Sequence, residues 1–398
     1  MEISVRGQTI QASPIRKLRP DADKALERGI HVYFLNIGDP DIPTPKPVIQ
    51  AFHNYQEEVL SYGPAQGFLE LRQAIADYFG SYKIPLTADN VVITTGGSEA
   101  ILFSFCCVAD PGYEIIVPEP FYTNYNGFAS LANVKLVPLT LRVEDGFRLP
   151  KAEGIEAKIT SKTKAILICS PNNPTGTVYT PEELERVAAL VKKHDLFLIG
   201  DEVYKEFVYD GLTHKSILEL EDIKDKVIVC DSISKRFSCC GARVGAIVTR
   251  NKDVFKAVTK FAQARLCPPS VEQKAALAAY RMGIQFFNPI REEYQRRRDV
   301  LYEGLKAIPG VFLLKPQGAF YIIVKLPVKD VEHFVTWMLN DFDLDKETVM
   351  VAPAEGFYTT PGKGKNEMRI AYVLKEQNLR RAIVVFKAGM EKYLSLYS

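Results

Sequence analysis

Short apolar runs alternate with amphipathic stretches through the middle of the chain. The runs include "NVVITT" (90–95), "KAILIC" (164–169), "LFLIG" (196–200) and "KVIVC" (226–230). They are nearly continuous in hydrophobicity, which is typical of strands in a parallel sheet that is covered on both faces. The segments between them carry helical patterns. The sequence therefore predicts an α/β fold with a mostly parallel sheet.

The best-marked helix is "TPEELERVAALVKKHD", residues 180–195. Thr180 suits the N-cap, and Pro181 suits the first helical position. Two glutamates follow in the first turn, and two lysines lie in the last turn, so both ends complement the helix dipole. These signals predict a helix that begins directly after Thr180.

The pattern changes after Met282. The long charged helix "PIREEYQRRRDVLYEGLKAI" leads into a strand, a helix, a glycine-rich loop and the strand "MRIAYVL". This order predicts a large domain over residues 46–282 and a smaller α+β domain formed by residues 1–45 together with 283–398. The three arginines at 296–298 are predicted to form a solvated helix face.

Composition narrows the class of protein. Of 398 residues, 47% are hydrophobic and 25% are charged, and the net charge of +2 argues against a nucleic-acid partner. No uninterrupted 18-residue apolar segment indicates a membrane span, and the first 20 residues have no signal-peptide core. The seven cysteines are odd in number and form no CxxC motif, which favours reduced thiols in a cytoplasmic protein without a metal site.

Polar residues follow four of the apolar runs. In open parallel sheets, ligands bind outside the carboxyl ends of the strands. The turn at Gly96-Gly97-Ser98-Glu99 enters a helix and suits a phosphate. The loop "SPNNPTG" (170–176) is stiff and offers amide groups. Taken alone, the glycine turn is more often a plain tight strand–helix turn, and the loop is as typical of a plain Asx/Pro turn as of a binding loop.

The other two strand ends carry charged groups. Asp201 ends one strand, where a carboxylate needs a cationic partner or must serve as a helix cap. Lys235 and Arg243 follow the next strand, in "DSISKRFSCCGARVG" (231–245). A lysine in such a setting can have a lowered pKa and attack a carbonyl, although a single lysine is most often a surface residue. Together, the four strand ends match pyridoxal 5′-phosphate (PLP), which needs a phosphate anchor, a carboxylate for its pyridine nitrogen and an amine for its aldehyde.

The chain resembles the class I/II aminotransferases, PLP enzymes of fold type I that are related to aspartate aminotransferase. The motifs that carry the resemblance are "SISKRFSCCGARVG", "SPNNPTG" and "DEVY", and the match extends from "NIGDPDIPTP" to "MRIAYVL". The resemblance implies a mostly parallel seven-stranded sheet sandwiched by helices, plus a smaller α+β domain. It also implies a ping-pong transfer of an amino group from an L-amino acid to a 2-oxo acid.

The resemblance implies a role for each residue that matches a family motif. Lys235 would form a Schiff base with PLP and then move the proton between substrate and cofactor, and Asp201 would pair with the pyridine nitrogen. Tyr204 and Asn173 would bind the phenolic oxygen, and Tyr122 would stack on the ring. The phosphate would be bound by Gly97, Ser98, Glu99, Ser232, Ser234 and Arg243.

The substrate and the neighbouring subunit would be bound by the remaining residues. Arg369 would bind the substrate α-carboxylate, with help from Gly38 and Asn173. Tyr62, in "LSYGPAQG", resembles the tyrosine that reaches the neighbouring subunit's phosphate, which implies a homodimer with shared active sites.

The sequence departs from the family pattern at two places. Cys239 replaces a more usual aliphatic residue, and Ser98 stands where relatives that prefer dicarboxylic substrates often have lysine. Arg16, in "SPIRKL", is either a ligand for a substrate side-chain carboxylate or a plain surface arginine. Aspartate, alanine and aromatic amino acids all remain open as donors. A PLP lyase (a C–S lyase or an enzyme like aminocyclopropane-carboxylate synthase) and a non-catalytic PLP-binding regulator are the alternative functions.

Overall fold

A computed structural model describes residues 1–397. The strands are β1 (His31–Phe34), β2 (Val91–Thr95), β3 (Glu114–Glu119), β4 (Lys135–Thr140), β5 (Thr163–Cys169), β6 (Phe197–Asp201), β7 (Val227–Ser232), β8 (Val244–Val248), β9 (Phe312–Leu313), β10 (Tyr321–Lys325), β11 (Glu347–Met350), β12 (Ala352–Pro353) and β13 (Glu367–Ala371). The helices are α1 (Val5–Thr9), α2 (Arg19–Glu27), α3 (Lys46–His53), α4 (Leu69–Gly80), α5 (Gly96–Val108), α6 (Asn124–Ala132), α7 (Ala152–Glu156), α8 (Pro181–Lys193), α9 (Ile233–Arg236), α10 (Lys252–Arg265), α11 (Ser270–Tyr280), α12 (Phe287–Lys306), α13 (Val331–Asn340) and α14 (Glu376–Tyr397).

The main sheet has seven strands in the order β2-β8-β7-β6-β5-β3-β4. Neighbouring strands run parallel except for β8, which is antiparallel to both β2 and β7. The predicted α/β class and the mostly parallel sheet are therefore confirmed. The carboxyl ends of β5, β6 and β7 meet at one edge, which is where a ligand is expected in this architecture.

Both faces of this sheet are buried. In β7, Val227 and Val229 enter one hydrophobic cluster, whereas Ile228 and Cys230 enter another. The first cluster includes residues of α4, α8 and α11, and the second includes residues of α5, α6 and α10. Since every residue of such a strand faces packed helices, apolar side chains dominate it, and this explains the continuous apolar runs.

Helix α8 begins as the sequence predicts. The Thr180 hydroxyl accepts a hydrogen bond from the Glu183 amide at 3.2 Å, and the Glu183 carboxylate accepts one from the Thr180 amide at 2.8 Å. This reciprocal capping box satisfies two amide groups that the first helical turn leaves unpaired. Lys192 and Lys193 lie in the last turn, as expected.

The first and last parts of the chain pack together. Strand β1 pairs in parallel with β11, so His31–Phe34 lies beside Glu347–Met350. A four-stranded antiparallel sheet, β12-β13-β10-β9, lies nearby and shares a hydrophobic cluster with α13 and α14. These elements bring Arg369 on β13 to the edge of the large sheet.

The prediction for the arginine run is wrong at two of its three positions. Arg296 is exposed, but Arg297 is only 4% exposed and Arg298 only 1%. Arg297 donates to Asp41 at 2.6 Å, and Arg298 donates to Asp210 at 2.7 and 2.8 Å. These partners lie far away in sequence. Charge patterning along one helix therefore cannot reveal that two of its arginines anchor distant loops.

Two further features concern the chain as a whole. Among residues 1–397, no helix combines the length and apolar character that crossing a membrane requires. All seven cysteines fall within this range and carry free thiols.

Candidate active site

A cavity of about 420 Å³ opens at the carboxyl edge of the large sheet. Every residue proposed from the sequence lines it except Glu99 and Tyr62. The predicted residues that meet there are Gly38, Gly97, Ser98, Tyr122, Asn173, Asp201, Tyr204, Ser232, Ser234, Lys235, Arg243 and Arg369. The fold therefore gathers residues that are more than 300 positions apart in the chain around one small space.

One end of the cavity is built to hold an anion. Gly96, at the start of α5, has a φ of +72°, and a Cβ atom there would lie 2.6 Å from Nη2 of Arg243. The Ser232 and Ser234 hydroxyls lie 2.8 Å apart beside this turn. Free amide groups at a helix start, two hydroxyls and a guanidinium form a donor set that matches a phosphate group. The glycine is needed because a side chain would displace the arginine.

Two predicted residues lie outside the cavity. The Glu99 carboxylate accepts a hydrogen bond from the Thr95 amide at 2.8 Å and lies 3.7 Å from Nη1 of Arg265. It thus caps the first turn of α5 and does not point its side chain at the anion site. Tyr62 is 81% exposed on the surface of the single chain.

Asp201 is a buried carboxylate at the end of β6. Its Oδ2 atom accepts a hydrogen bond from the Tyr125 hydroxyl at 2.6 Å. Burial raises the pKa of Asp201 to about 6, although the hydrogen bond from Tyr125 opposes that rise. A buried carboxylate with one hydroxyl donor is poised to accept a proton or a cationic N–H group. Tyr125 was missed from the sequence, although its place three residues after Tyr122 in "FYTNY" is a local signal for it.

Lys235 lies on the short helix α9 and lines the cavity. Its Nζ atom donates to the Gly38 carbonyl at 2.7 Å and lies 3.6 Å from Sγ of Cys240. Burial lowers the pKa of Lys235, but electrostatic interactions with the acidic groups of Tyr321, Cys240, Tyr122 and Asp39 outweigh burial, so the net pKa is raised. The lowered pKa that a lysine in such a setting can have is not found in this arrangement. The reason is that acidic groups from distant segments surround the amine.

Arg369 is a buried guanidinium with unused hydrogen-bonding capacity. It donates to Asn173 Oδ1 at 3.0 Å and to the Asn36 carbonyl, while its Nε atom has no hydrogen-bond partner among the residues that the structure describes. Burial lowers the pKa of Arg369 below its usual value. A buried arginine that lacks a carboxylate partner and faces a cavity is suited to bind an anionic ligand.

Two tyrosine hydroxyls meet beside Arg369. The Tyr204 and Tyr321 hydroxyl oxygens lie 2.9 Å apart, and burial raises the Tyr204 pKa well above its usual value. Tyr321, at the start of β10, was missed from the sequence. Nothing in its neighbourhood, "QGAFYIIVKL", distinguishes it from an ordinary strand residue.

The mouth of the cavity is lined by the N-terminal segment. Ser13, Ile15 and Arg16 line it opposite Tyr122 and Phe128. Arg16 is exposed and makes no ion pair with any other residue in the range 1–397.

Comparison with known proteins places the chain in a family. Residues 30–386 match the family described as aminotransferase class I and II. The chain is 31% identical to the aspartate aminotransferase of Bacillus subtilis (strain 168), over 99% of this chain and 100% of that protein. It is 32% identical to aromatic-amino-acid aminotransferase 2 of Thermococcus litoralis, over 96% of this chain and 97% of that protein.

Solved structures agree with the sequence relatives. The alanine aminotransferase from Pyrococcus furiosus is similar, with a TM-score of 0.90 and 31% identity, over 98% of this chain and 100% of that one. The resemblance inferred from the motifs, the fold type and the aminotransferase activity are therefore confirmed. The chain belongs to the class I and II aminotransferases.

Proposed function

We propose that this aminotransferase uses PLP and binds it in the cavity at the sheet edge. The observation that carries the proposal is the meeting of an anion cradle, a buried carboxylate and a lysine amine within about 420 Å³. The cradle at Gly97, Ser232 and Arg243 fits a phosphate, and Lys235 fits an aldehyde. When bound, PLP supplies an electron sink for the negative charge that develops at the substrate Cα atom.

Side chains of the protein would orient the reacting groups and move the protons. Asp201, fixed by Tyr125, holds a proton on the pyridine nitrogen, and Tyr204 and Asn173 offer donors to the phenolic oxygen. The Lys235 amine would serve as the general base that accepts the substrate Cα proton and as the general acid that donates it again. Tyr122, which lines the cavity, would stack on the cofactor ring.

Arg369 binds the substrate α-carboxylate in this proposal. Its unpaired Nε atom and its contact with Asn173 support a forked guanidinium that is held ready for two oxygens. The backbone of Gly38, which lines the same cavity, would assist Arg369 in binding the carboxylate. Fixing the carboxylate fixes which Cα bond faces the ring, and such orientation supplies large rate factors.

We infer that the substrates include dicarboxylic acids and that Arg16 binds their second carboxylate. The support is the position of Arg16 at the cavity mouth without an ion-pair partner among residues 1–397. Ser98 is uncharged, so it does not supply the positive charge that would bind the second carboxylate. A charge-assisted hydrogen bond at a partly exposed site accounts for about tenfold in affinity.

The cofactor proposal is tested by absorbance. The purified protein reconstituted with PLP should show a visible band, and Lys235→Ala should lose it, while Lys192→Ala on the exposed face of α8 should keep it. A wild-type protein that stays colourless after reconstitution would contradict the proposal. Release of pyruvate and ammonia without a 2-oxo acid acceptor would instead indicate a lyase.

The substrate proposal is tested with paired acceptors. Arg16→Ala should raise the KM for 2-oxoglutarate about tenfold and leave the KM for pyruvate nearly unchanged. Arg19→Ala is the matched control, because Arg19 lies in the same segment and pairs with Asp23 at 2.7 Å outside the cavity. Equal changes in KM for both acceptors would show that Arg16 does not bind the second carboxylate.

We also propose a homodimer in which Tyr62 completes the neighbouring active site. Val59, Leu60 and Tyr62 are 71%, 70% and 81% exposed, an apolar group that a second copy would cover. Mixing Tyr62→Ala with Lys235→Ala should restore activity, because a mixed dimer contains one intact site. Activity no higher than the sum of the two separate variants would refute sharing.

The division into residues 46–282 and residues 1–45 with 283–398 remains part of the proposal. It is supported by the separation of the sheets, since the seven-stranded sheet uses only residues between Val91 and Val248 and the two smaller sheets use none of them. The pairing of β1 with β11 supports the assignment of the N-terminal segment to the smaller part. Limited proteolysis should cut near residues 45 and 283 before it cuts within either part.

A further inference from the structure

Tyr321 lies where several parts of the cavity meet. It is buried at the start of β10, and its hydroxyl oxygen is 2.9 Å from that of Tyr204. The Cζ atom of Arg369 lies 4.6 Å from the centre of the Tyr321 ring. One side chain therefore contacts both the tyrosine on the cofactor side and the arginine on the substrate side.

Tyr321 also abuts the backbone that contacts the lysine. A Cβ atom built at Gly38 would overlap the Tyr321 hydroxyl and lie 2.6 Å from its Cε1 atom. The Gly38 carbonyl accepts the hydrogen bond from Lys235 Nζ at 2.7 Å. Because the ring fills the space that a side chain at position 38 would need, Tyr321 sets how closely this backbone approaches Lys235.

The direction of the hydroxyl pair follows from what Tyr204 must do. Neither hydroxyl has another hydrogen-bond partner within residues 1–397. If Tyr204 donates its proton to the cofactor's phenolic oxygen, it can only accept from Tyr321. A hydroxyl that accepts a hydrogen bond becomes a stronger donor, since linked hydrogen bonds polarise one another.

We propose that Tyr321 is a positioning residue for this reaction, whose ring fixes Arg369 for the α-carboxylate and whose hydroxyl orients Tyr204 toward the cofactor. This inference rests on the proposed PLP site. It assigns separate tasks to the two parts of one side chain. The two tasks can be removed separately by substitution.

The experiment uses the reconstituted enzyme with Tyr321→Phe and Tyr321→Leu. Tyr321→Phe keeps the ring, so the KM for the amino donor should change less than about twofold. Its bound-cofactor absorbance should titrate with a pKa about 0.5 unit higher than wild type, because the deprotonated phenolic oxygen loses part of its stabilisation. Tyr321→Leu should show the same rise and, in addition, a KM about tenfold higher.

The matched control is Tyr372→Phe. Tyr372 is also buried, and its hydroxyl donates to the Ala319 carbonyl at 3.2 Å, away from the cavity. The Tyr372→Phe substitution should change neither the pKa at which the bound-cofactor absorbance titrates nor the KM for the amino donor. A Tyr321→Phe enzyme whose absorbance titrates as wild type overturns the role of the hydroxyl, and equal KM values for the Phe and Leu variants overturn the role of the ring.

The outcomes distinguish failure of the Tyr321 inference from failure of the proposed PLP site on which it rests. A wild-type protein without the cofactor band refutes the PLP site and, with it, the role of Tyr321. A wild-type band with an unchanged Tyr321→Phe titration refutes only the positioning role. The Tyr321→Phe titration decides the role of the hydroxyl even where Tyr321→Leu fails to fold.

Discussion

The hydrogen bond from Tyr125 to Asp201 sets the charge of the buried carboxylate, and Tyr125→Phe tests it. The bond is 2.6 Å long, and it opposes the burial that raises the Asp201 pKa to about 6. A hydrogen bond to a charged group contributes about 1.5 kcal/mol or more, which corresponds to about one pKa unit. The substitution should therefore raise the Asp201 pKa in the cofactor-free protein to about 7.

The consequence is a pH-dependent loss of PLP affinity. The ionised fraction of Asp201 at pH 6 falls from about one half to about one tenth, so PLP should bind about fivefold more weakly. At pH 7 the loss should be about twofold, and at about pH 9 it should vanish, because Asp201 is ionised in both proteins. Protonation of the free cofactor affects both proteins equally and cancels in the ratio.

The assay is reconstitution of the cofactor-free protein, followed by the return of absorbance at several pH values. Tyr372→Phe serves again as control, because it removes a buried hydroxyl that neither lines the cavity nor donates to Asp201. A ratio of affinities that stays constant with pH would indicate lost packing and would refute the electrostatic reasoning. The loss of PLP affinity in Tyr125→Phe is expected to shrink as the pH rises. A loss that instead grew with pH would also refute the electrostatic reasoning.

Two other predictions concern the cradle and the core. Gly96→Ala should weaken PLP binding at least about tenfold, because its Cβ would lie 2.6 Å from the Arg243 guanidinium. Gly112→Ala is the control, since that glycine also has a positive φ, +84°, but has open space around it, and it should bind PLP normally. Arg236→Met should lower the free energy of unfolding by about 3–5 kcal/mol in urea titrations, because it leaves the fully buried Asp231 carboxylate without its cation. Loss of less than about 1 kcal/mol would mean that Asp231 is neutral in the folded protein.

The local signals in the sequence predicted the parallel strands and the polar groups at their ends, whereas the family resemblance supplied other cavity residues such as Tyr122 and Arg369. The apolar runs of β2, β5, β6 and β7 predicted buried parallel strands, because apolar side chains dominate a strand that is covered on both faces. The rule that ligands bind at strand ends then led to Asp201 and Lys235. The N-cap of α8 at Thr180 could also be predicted, because Thr180 and Glu183, which bond to each other, lie only three residues apart.

Contacts between distant segments could not be predicted in this way. Arg297 and Arg298 have the same local pattern as an exposed helix face, yet their partners are Asp41 and Asp210. The same holds for Tyr321, because an aromatic residue at the start of a strand is ordinary until the fold brings its hydroxyl to Tyr204.

The sequence by itself determined the strands, the helices and the chemical groups that the reaction needs, because these depend on spacing and side-chain type within short segments. Only the tertiary structure decided the protonation and the partners of those groups. Lys235 has a raised pKa because Tyr321, Cys240 and Tyr122 converge on it from separate elements. Arg369 faces the cavity with an unpaired Nε because β13 lies beside β10 at the sheet edge. Electrostatic energy and burial depend on distance in space, and folding alone sets those distances.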